Sequence, residues 1–366
     1  MSPQTTMSRR SPSIGMLGAG FMARTHTHAA RLSGARLEAL ASSNLERAEL
    51  AASALGYERA VTADELLAEG LPLVHVCTPN TSHVAYSAAA LAAGSHVICE
   101  KPLATTAAAA TELAAQARES GLLGAVPFVY RYHPMVREAR ARIASGESGA
   151  VLTIAGHYLQ DWLLTSGDDN WRVGSDAGGP SRAFADIGSH LVDLVEFVSG
   201  DRITRLVATT RTVHPERGGQ SVATEDSVAL TVELAGGGIG ALLVSQVAPG
   251  RKNGLVLEIA GSEQSLRFEQ EDPDRLWVGR REHSLLLRRD PETLAPDAAR
   301  ISSVPAGHAQ GYQDAFNAFV ADAYAVAGGE PREGFPTFDD GARAATITEA
   351  VLDSARVGQW VGVPGA

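Results

Sequence analysis

The chain has 366 residues, of which 45% are hydrophobic and 20% charged, and this length allows two domains that each bury a core. Its 42 acidic residues outnumber its 31 basic ones, and the formal net charge of −11 leaves no basic surplus for a nucleic-acid partner. The only two cysteines, Cys77 and Cys99, exclude a disulfide-rich secreted scaffold and indicate a cytoplasmic protein.

The amino-terminal segment, residues 1–12, is polar, and we expect it to be disordered, with Met7 as a second candidate start beside Met1. Its Arg9-Arg10 pair superficially resembles a twin-arginine export signal, but a strand and a turn explain the short apolar run that follows. No stretch reaches the ~20 apolar residues that cross a bilayer, so we expect no membrane association.

The first third of the chain alternates short apolar runs with alanine-rich stretches of helical character. This alternation predicts an α/β domain with a parallel, doubly wound sheet over residues 13–127. Asp64 is the expected N-cap of a short helix. The predicted strands are Ile14–Leu17, Leu37–Ala41, Leu73–Cys77, Val97–Cys99 and Leu122–Val126, and the main helices are Leu45–Leu55, His83–Ala93 and Thr105–Ser120.

A glycine-rich turn follows the first predicted strand. Gly18-Ala-Gly20-Phe-Met-Ala23 has the G-x-G-x-x-A spacing that opens a helix in dinucleotide-binding domains. Small residues permit close approach of a pyrophosphate, and the helix N-terminus supplies N–H donors. We therefore assign Gly18, Gly20, Phe21 and Met22 to cofactor binding.

The second predicted strand ends without the acidic residue that usually binds the ribose of NAD. Its end reads Ala41-Ser42-Ser43-Asn44, and the nearest acid, Glu46, lies inside the next helix. Ser42, Ser43 and Arg47 are able to accommodate the 2′-phosphate of NADP. The cofactor is therefore predicted as NAD or NADP.

Three further motifs point to function. Two of them follow predicted strands of the doubly wound sheet, where such sheets bind ligands, and the third lies later in the chain. Thr78-Pro79-Asn80 follows the third main strand and Glu100-Lys101-Pro102 follows the fourth. The third motif, Asp186-Ile-Gly-Ser-His190, follows a Gly-Gly pair at residues 178–179. In this order, behind the glycine turn, they resemble the glucose-fructose oxidoreductase / inositol dehydrogenase / rhizopine catabolism (Gfo/Idh/MocA) family over nearly the whole chain.

The resemblance implies a Rossmann domain followed, over residues 128–366, by an α+β domain whose large, mostly antiparallel open sheet carries the substrate pocket. It also implies NAD(P)-dependent oxidation or reduction of a sugar or cyclitol hydroxyl in a homodimer or homotetramer. Within the family, Tyr158-Leu-Gln-Asp-Trp162 followed by Trp171-Arg172 resembles the branch that contains levoglucosan-type sugar dehydrogenases.

Lys101 matches the family's catalytic lysine. It is one of only two lysines, the other being Lys252, among 31 basic residues. A lysine in a crevice can titrate and donate a hydrogen bond to a substrate oxygen, which arginine cannot do usefully. The chain therefore retains lysine where the resemblance requires a titratable amine.

The resemblance makes His190 the acid/base candidate, since an imidazole can accept a hydroxyl proton near neutral pH. Asp186, four residues earlier, is expected on the same side of a helix start, where it binds the substrate or orients His190 and Lys101. Asp193 extends the motif and is as readily structural. His26 and His28 resemble a metal pair only superficially, and we expect them at the surface or at the cofactor edge, with no metal site.

Other candidate residues are less specific. Asn80 and His83 are expected on the nicotinamide side of the cofactor site. The further residues assigned to cofactor binding are Thr78, Pro79, Glu100, Lys101, Trp171 and Arg172. Aromatic, amide and acidic side chains occur together at residues 158–162, a mixture typical of sugar sites. The candidate substrate residues are Tyr130, Tyr158, Gln160, Asp161, Trp162 and His308.

Later strands are predicted at Val151–Tyr158, Leu206–Val213, Val228–Leu234, Ile239–Gln246, Leu255–Ala260 and Ser265–Phe268, with 280–302 as a surface excursion.

Two alternatives to a simple dehydrogenase stay open. One is redox-assisted glycoside cleavage or epimerisation without net cofactor turnover. The other is a nucleotide-responsive regulator, against which an intact set of Lys101, Asp186 and His190 argues.

Overall fold

The computed structural model describes residues 12–365, so the predicted disorder of 1–12 and the choice between Met1 and Met7 lie almost wholly outside the described residues. The chain forms two compact units. The described part of the first unit comprises residues 12–104, 108–129 and 313–342, and the second comprises 105–107, 130–312 and 343–365. The amino-terminal part of the first unit thus ends near the predicted division at residue 127. A later segment, residues 313–342, also belongs to this unit.

The first unit is built on a six-stranded sheet in the order β3-β2-β1-β4-β5-β6, with every pairing parallel. This is the strand order of a doubly wound dinucleotide-binding fold, as the alternation predicted. Its elements are β1 (Ser13–Leu17), α1 (Phe21–Leu32), β2 (Arg36–Ala41), α2 (Leu45–Leu55), β3 (Arg59–Val61), α3 (Ala63–Ala68), β4 (Leu73–Val76), α4 (His83–Ala92), β5 (His96–Cys99), α5 (Ala107–Ser120) and β6 (Gly124–Ala125).

Local sequence explains most of these boundaries. The prediction that Asp64 caps α3 was wrong: Thr62 is the N-cap, its hydroxyl accepting from the Glu65 amide while the Glu65 carboxylate accepts from the Thr62 amide. Asp64 instead lies in the first turn of the helix. The edge strand β3 was not predicted, because its three residues are half-buried and carry no apolar run.

The second unit contains a nine-stranded sheet in the order β16-β15-β14-β13-β7-β12-β11-β8-β17, in which only the β7–β12 pairing is parallel. The remaining elements of the chain are α6 (Pro134–Ala144), β7 (Val151–Leu159), α7 (Ser175–Gly178), α8 (Ser189–Ser199), β8 (Ile203–Arg211), β9 (Glu216–Arg217), β10 (Gln220–Ser221), β11 (Ser227–Leu234), β12 (Ile239–Ser245), β13 (Gly254–Gly261), β14 (Ser265–Glu269), β15 (Arg275–Gly279), β16 (Ser284–Arg288), α9 (Pro296–Arg300), α10 (Tyr312–Ala327), α11 (Phe338–Val357) and β17 (Val361–Gly362).

The nine-stranded sheet has one covered face and one open face. Along β12, Leu242 and Val244 are buried, whereas Ile239 and Leu243 are exposed, as the alternation of a half-buried strand requires. The buried side chains join those of α6 and α8 in one hydrophobic core. The second unit is therefore an α+β layer structure, as expected from the resemblance.

The prediction that residues 280–302 form only a surface excursion was wrong in part. Ser284–Arg288 pairs with β15 as the edge strand of the sheet, and Pro296–Arg300 forms a short helix. β15 itself was not predicted. Charged residues flank both strands, and β16 exposes most of its side chains, so the sequence shows no clear alternation there. No helix among the described residues has the length and apolar character that crossing a membrane demands.

Candidate active site

The glycine turn after β1 has the geometry that a close backbone approach requires. Gly18 has φ +118°, and a Cβ at this position would lie 2.4 Å from the carbonyl oxygen of Cys77. Its amide donates to the Ala41 carbonyl at 2.8 Å, which fixes the turn beside the end of β2. Gly20 is the N-cap of α1, and no described side chain caps this helix end. Backbone N–H groups and the positive end of the helix dipole are therefore available to an anion.

The residues after β2 offer hydroxyl and guanidinium groups. Ser42 is half-buried, and Ser43 and Arg47 are exposed. The Asn44 side chain caps α2 by accepting from the Arg47 amide at 2.9 Å. Phe21 and Met22, which open α1, are exposed and half-buried respectively. Each of these predicted cofactor residues thus lies at the carboxyl end of β1 or β2, or in the helix that follows.

His83 joins the loops after β4 and β5. Its Nε2 lies 2.8 Å from the Thr78 carbonyl oxygen, and its Nδ1 lies 2.8 Å from the Pro102 carbonyl oxygen. Burial lowers the pKa of His83, although both carbonyl contacts oppose that shift. Asn80 is buried in the first of these loops and Pro79 is exposed beside it. His83 therefore positions backbone around the cofactor motifs.

The prediction that His26 lies at the surface or cofactor edge was wrong. Its side chain is fully buried, and its Nε2 lies 2.9 Å from Oε1 of Glu100. Only His28 of the pair is exposed. Burial by itself would raise the pKa of Glu100, but the hydrogen bond from His26 and electrostatic interactions with His26, Lys101 and His83 hold the pKa below its ordinary value. Glu100 is thus an internal carboxylate and its other oxygen accepts from the Lys101 amide at 3.2 Å.

In the second unit, Asp186 lies in a π-helical turn, Phe184–Gly188, that leads directly into α8. Such turns are frequent at functional sites. A Cβ at Gly188 would lie 2.5 Å from the Phe184 ring, which explains the central glycine of the D-x-G-x-H motif. The Asp186 carboxylate accepts from Gln246 Nε2 at 2.9 Å and forms an ion pair with Arg172 Nε at 3.4 Å.

His190, on the first turn of α8, is buried against aromatic rings. The Tyr130 ring lies 5.0 Å away, edge-on, and the Tyr158 ring lies 6.5 Å away. The two phenol oxygens are 2.5 Å apart, and Asn253 contacts both of them, accepting from Tyr158 at 2.5 Å and donating to Tyr130 at 3.2 Å. Burial raises the pKa of both phenols, so they carry their protons at neutral pH.

The amide and indole groups continue this polar cluster. Gln160 Nε2 donates to Asn253 Oδ1 at 3.1 Å, and Trp162 Nε1 donates to Gln160 Oε1 at 2.7 Å. The cluster of Tyr130, Tyr158, Gln160, Trp162 and Asn253 thus combines aromatic faces with hydroxyl and amide groups around one edge of His190. An imidazole in these surroundings can accept a proton from a hydroxyl group held by the neighbouring polar atoms.

Several predicted residues have other partners. Asp161 accepts from Lys252 Nζ at 2.7 Å, and Lys252 is itself 77% exposed at its side chain. His308 lies exposed in a loop whose carbonyl groups bind a buried arginine. The Trp171 ring lies 4.3 Å below the Arg172 guanidinium and is itself partly exposed.

Asp193 belongs to the interior rather than to this cluster, because its carboxylate forms a buried, two-point ion pair with Arg131. Sequence reasoning missed Gln246 and Asn253. The only signal for Asn253 was its place beside Lys252 in a glycine-bounded loop, since loops of this kind often carry binding residues. Among the described residues, no group of three or more His, Cys, Asp or Glu side chains is arranged to hold a metal ion.

Comparison with protein families matches both parts of the chain. Residues 13–128 match the family model described as "Oxidoreductase family, NAD-binding Rossmann fold", and residues 136–267 match the GFO/IDH/MocA C-terminal domain. The chain is 30% identical to levoglucosan dehydrogenase of Pseudarthrobacter phenanthrenivorans, over 96% of this chain and 98% of that protein. It is 28% identical to D-apiose dehydrogenase of Paraburkholderia graminis, over 94% of this chain and 88% of that one.

Solved structures agree with these relatives. A levoglucosan dehydrogenase in complex with NADH and levoglucosan superposes with a TM-score of 0.91 at 28% identity, over 98% of this chain and all of that one. An inositol dehydrogenase homologue from Azotobacter vinelandii, complexed with NAD+, gives a TM-score of 0.90 at 26% identity, over 99% of this chain and all of the other.

Proposed function

This chain belongs to the Gfo/Idh/MocA family of NAD-binding oxidoreductases, and from that premise we propose that it oxidises a secondary hydroxyl of a sugar or cyclitol to a ketone. One observation carries the proposal: His190 is buried at a helix start with Asp186 four residues before it, beside a cluster of phenol, amide and indole groups. Polyhydroxylated rings need that combination of hydrogen-bonding groups and aromatic faces.

In the proposed reaction, His190 takes the proton of the substrate hydroxyl. Lys101 donates a hydrogen bond to the same oxygen, which stabilises the negative charge that develops as the proton leaves. Asp186, held by Gln246 and Arg172, orients the substrate or the imidazole. The nicotinamide of NAD or NADP supplies the hydride acceptor, so the carbinol C–H bond breaks as the carbonyl forms.

The cluster around His190 is proposed to set substrate choice. The phenol oxygens of Tyr130 and Tyr158 and the amides of Gln160 and Asn253 can each exchange a bond within the cluster for one to a sugar hydroxyl. Levoglucosan is the first substrate to test, because a levoglucosan dehydrogenase is found both among the curated relatives and among the similar solved structures.

The proposed cofactor is NAD or NADP. Ser42, Ser43 and Arg47 stand where a carboxylate would otherwise repel a 2′-phosphate, so we expect the chain to accept NADP as well as NAD. The protein is further proposed to act in the cytoplasm as a homodimer or homotetramer. The open face of the nine-stranded sheet, with exposed Ile239 and Leu243, is the proposed contact surface.

A spectrophotometric screen tests the function. Purified protein is incubated with levoglucosan, aldoses and inositols, separately with NAD and NADP, and absorbance of the reduced cofactor is followed. Reduction with at least one sugar or cyclitol, lost in His190→Ala, supports the proposal. Conversion of substrate without accumulation of reduced cofactor would favour cleavage or epimerisation instead, and cofactor binding without any conversion would favour a regulator.

A further inference from the structure

Four buried side chains form a continuous line of hydrogen bonds within the first unit. The hydroxyl of Tyr324 lies 2.9 Å from His75 Nε2, and His75 Nδ1 lies 2.8 Å from His26 Nδ1. His26 Nε2 lies 2.9 Å from Glu100 Oε1. Both histidines are 0% exposed. The reaction proposed above uses neither histidine nor Tyr324, so this line of buried polar groups requires its own explanation.

The chemistry of the groups fixes the direction of the hydrogen bonds. A carboxylate only accepts, so His26 must donate from Nε2 to Glu100. In a neutral His26 the Nδ1 atom then accepts, which requires His75 to donate from Nδ1 and to accept from the Tyr324 hydroxyl at Nε2. Burial, with a further contribution from His26, lowers the pKa of His75 well below its ordinary value, and burial raises that of Tyr324. With His26 neutral, all three hydrogen bonds point towards Glu100.

The other side of Glu100 holds the backbone of the E-K-P motif. Glu100 Oε2 accepts from the Lys101 amide at 3.2 Å, and the carbonyl of Pro102 is bound by His83 Nδ1 at 2.8 Å. Lys101 is thus the residue between two anchored neighbours. A shift of Glu100 would move the backbone from which the Lys101 side chain projects.

We propose that His26, His75 and Tyr324 are positioning residues for Lys101: they hold Glu100 as an ionised carboxylate in one orientation, and Glu100 holds the Lys101 backbone. The inference rests on the proposed function, because it assumes that Lys101 acts on the substrate. It assigns a role in turnover to a contact of His26 with two side chains distant in sequence, His75 at 49 residues and Glu100 at 74 residues.

Other titratable groups face this line of side chains from the elements packed against it. Among the described residues, Glu100 is faced by Cys77 after β4 and by His83 on α4, besides its neighbours Cys99 and Lys101. Tyr57 faces Tyr324. Burial raises the pKa of both cysteines, so that both stay protonated thiols over the assay range. The charge of Glu100 is therefore the one expected to respond when its donor is removed.

The first test is the pH profile of His26→Leu. Without the Nε2 donor, the pKa of Glu100 rises, and the carboxylate is lost as the pH falls through that raised value. We expect the acidic limb of the kcat profile to move up by about one pH unit or more, and kcat at pH 7 to fall roughly tenfold, because one hydrogen bond to a buried charged group is lost. The Kd for the cofactor should stay within about twofold.

Two companion variants separate positioning from stability. His26→Gln keeps an N–H donor towards Glu100 and should restore most of the wild-type profile. Thr27→Val, on the same helix and equally buried, removes the Thr27 hydroxyl bonds to the Ala23 carbonyl and to Tyr57. It should lower the melting temperature without moving the limb. An unmoved limb in His26→Leu, or the same movement in Thr27→Val, overturns the proposal.

Should His26→Leu fail to fold, Tyr324→Phe tests the far end of the line. It removes only the hydroxyl that fixes His75, and we expect a shift of the acidic limb in the same direction with a two- to threefold lower kcat, because the lost hydrogen bond is neutral. A wild-type pH profile in Tyr324→Phe would overturn the proposal.

A second measurement needs no turnover. In wild-type protein carrying ¹⁵N-labelled histidine, His75 should be a neutral imidazole with its proton on Nδ1, and His26 one with its proton on Nε2; the His75→Phe and His26→Gln variants identify the signals. A proton on Nε2 of His75, or a doubly protonated His26 at pH 7.5, contradicts the inference. Absence of sugar oxidation by the wild type would instead defeat the proposed function alone.

Discussion

Two buried carboxylate clusters, one in each unit, hold the segments that carry the predicted catalytic residues, and they do so with different chemistry. In the first unit, Glu100 is held by a hydrogen bond with the His26 side chain. In the second, Asp226 forms ion pairs with Arg182 and Arg217, all three side chains being almost completely inaccessible. The first cluster is built on imidazole and phenol groups, which can gain or lose a proton, whereas the second depends on guanidinium groups that stay charged.

The arginine cluster fastens two segments at once. Arg182, just before the D-x-G-x-H motif, binds Asp226, and the neighbouring Glu225 accepts from the Ser181 hydroxyl and the Phe184 amide. Arg217 donates to the Leu163 carbonyl at 2.8 Å, behind Trp162. Burial alone would raise the pKa of Asp226, but the arginines and backbone donors keep it below its ordinary value. In the second unit the segment before Asp186 is therefore held by groups that stay charged, whereas the contacts that hold Glu100 in the first unit can respond to protonation.

The largest expected effect is on kcat, in variants of the two catalytic candidates whose segments these clusters hold. Both Lys101→Ala and His190→Ala should lower kcat by about 10³-fold, the range of acid–base and electrostatic contributions, while the Kd for the cofactor changes little. Steady-state kinetics and quenching of protein fluorescence by the cofactor measure the two quantities. A near wild-type rate in either variant would show that its cluster positions something other than a catalytic group.

The next prediction breaks the arginine cluster. Asp226→Asn leaves two buried guanidinium groups without their shared carboxylate, and we expect the free energy of unfolding to fall by about 3–5 kcal/mol. Urea denaturation followed by circular dichroism measures it. Asp161→Asn, whose charged partner is the exposed Lys252, is the matched control and should cost much less, because exposed ion pairs contribute little to stability. Equal losses of unfolding free energy in Asp226→Asn and Asp161→Asn would refute the claim that the buried arginine cluster contributes more to stability than an exposed ion pair.

A smaller effect is expected at the substrate cluster. Asn253→Ala removes the amide that contacts both phenols, and KM for the sugar should rise about tenfold, the value of one or two lost hydrogen bonds, with kcat changed less. Lys252→Met, at the adjacent position, should leave KM within about twofold. A loss of kcat without any change in KM would place Asn253 in the chemical step instead.

The smallest expected effect is a difference between the two clusters in how their contribution to the free energy of unfolding changes with pH. Because the pKa of His75 is lowered, the folded state keeps it neutral while the unfolded state binds a proton below pH ~6.5, so its contribution to stability falls on acidification. The cost of His75→Leu should therefore shrink by about 1 kcal/mol between pH 7.5 and 5.5. The cost of Asp226→Asn should be the same at both pH values, and a parallel change in both variants would contradict the comparison.

Features encoded over short stretches of sequence were predictable, and features made by distant residues were not. The G-x-G-x-x-A turn, the parallel sheet of the first unit and most strands of the second follow from local spacing and alternation. His26 was misjudged because its partners, His75 and Glu100, lie 49 and 74 residues away. A histidine two positions from another, with no acid nearby in sequence, gives no sign of such burial.

The same limit explains why Gln246, which contacts Asp186, and Asn253, in the cluster beside His190, were missed. Gln246 contacts Asp186 across 60 residues, and Asn253 contacts Tyr130 across 123. Amides have no sequence signature of their own and depend on the fold to bring them to a site. The edge strand β16 was missed for a different reason, since its exposed leucines between charged residues show neither a buried run nor strict alternation.

Transfer of a carbon-bound hydride from sugar to nicotinamide is the central claim, and isotope labelling tests it most directly. Levoglucosan deuterated at every carbon, and in parallel a deuterated form of whichever sugar the screen finds active, is incubated with protein and NAD or NADP. Mass spectrometry of the reduced cofactor should show one added deuterium per ketone formed, and His190→Ala should form neither. Product without deuterium in the cofactor, or no deuterated cofactor with any sugar, would contradict the account.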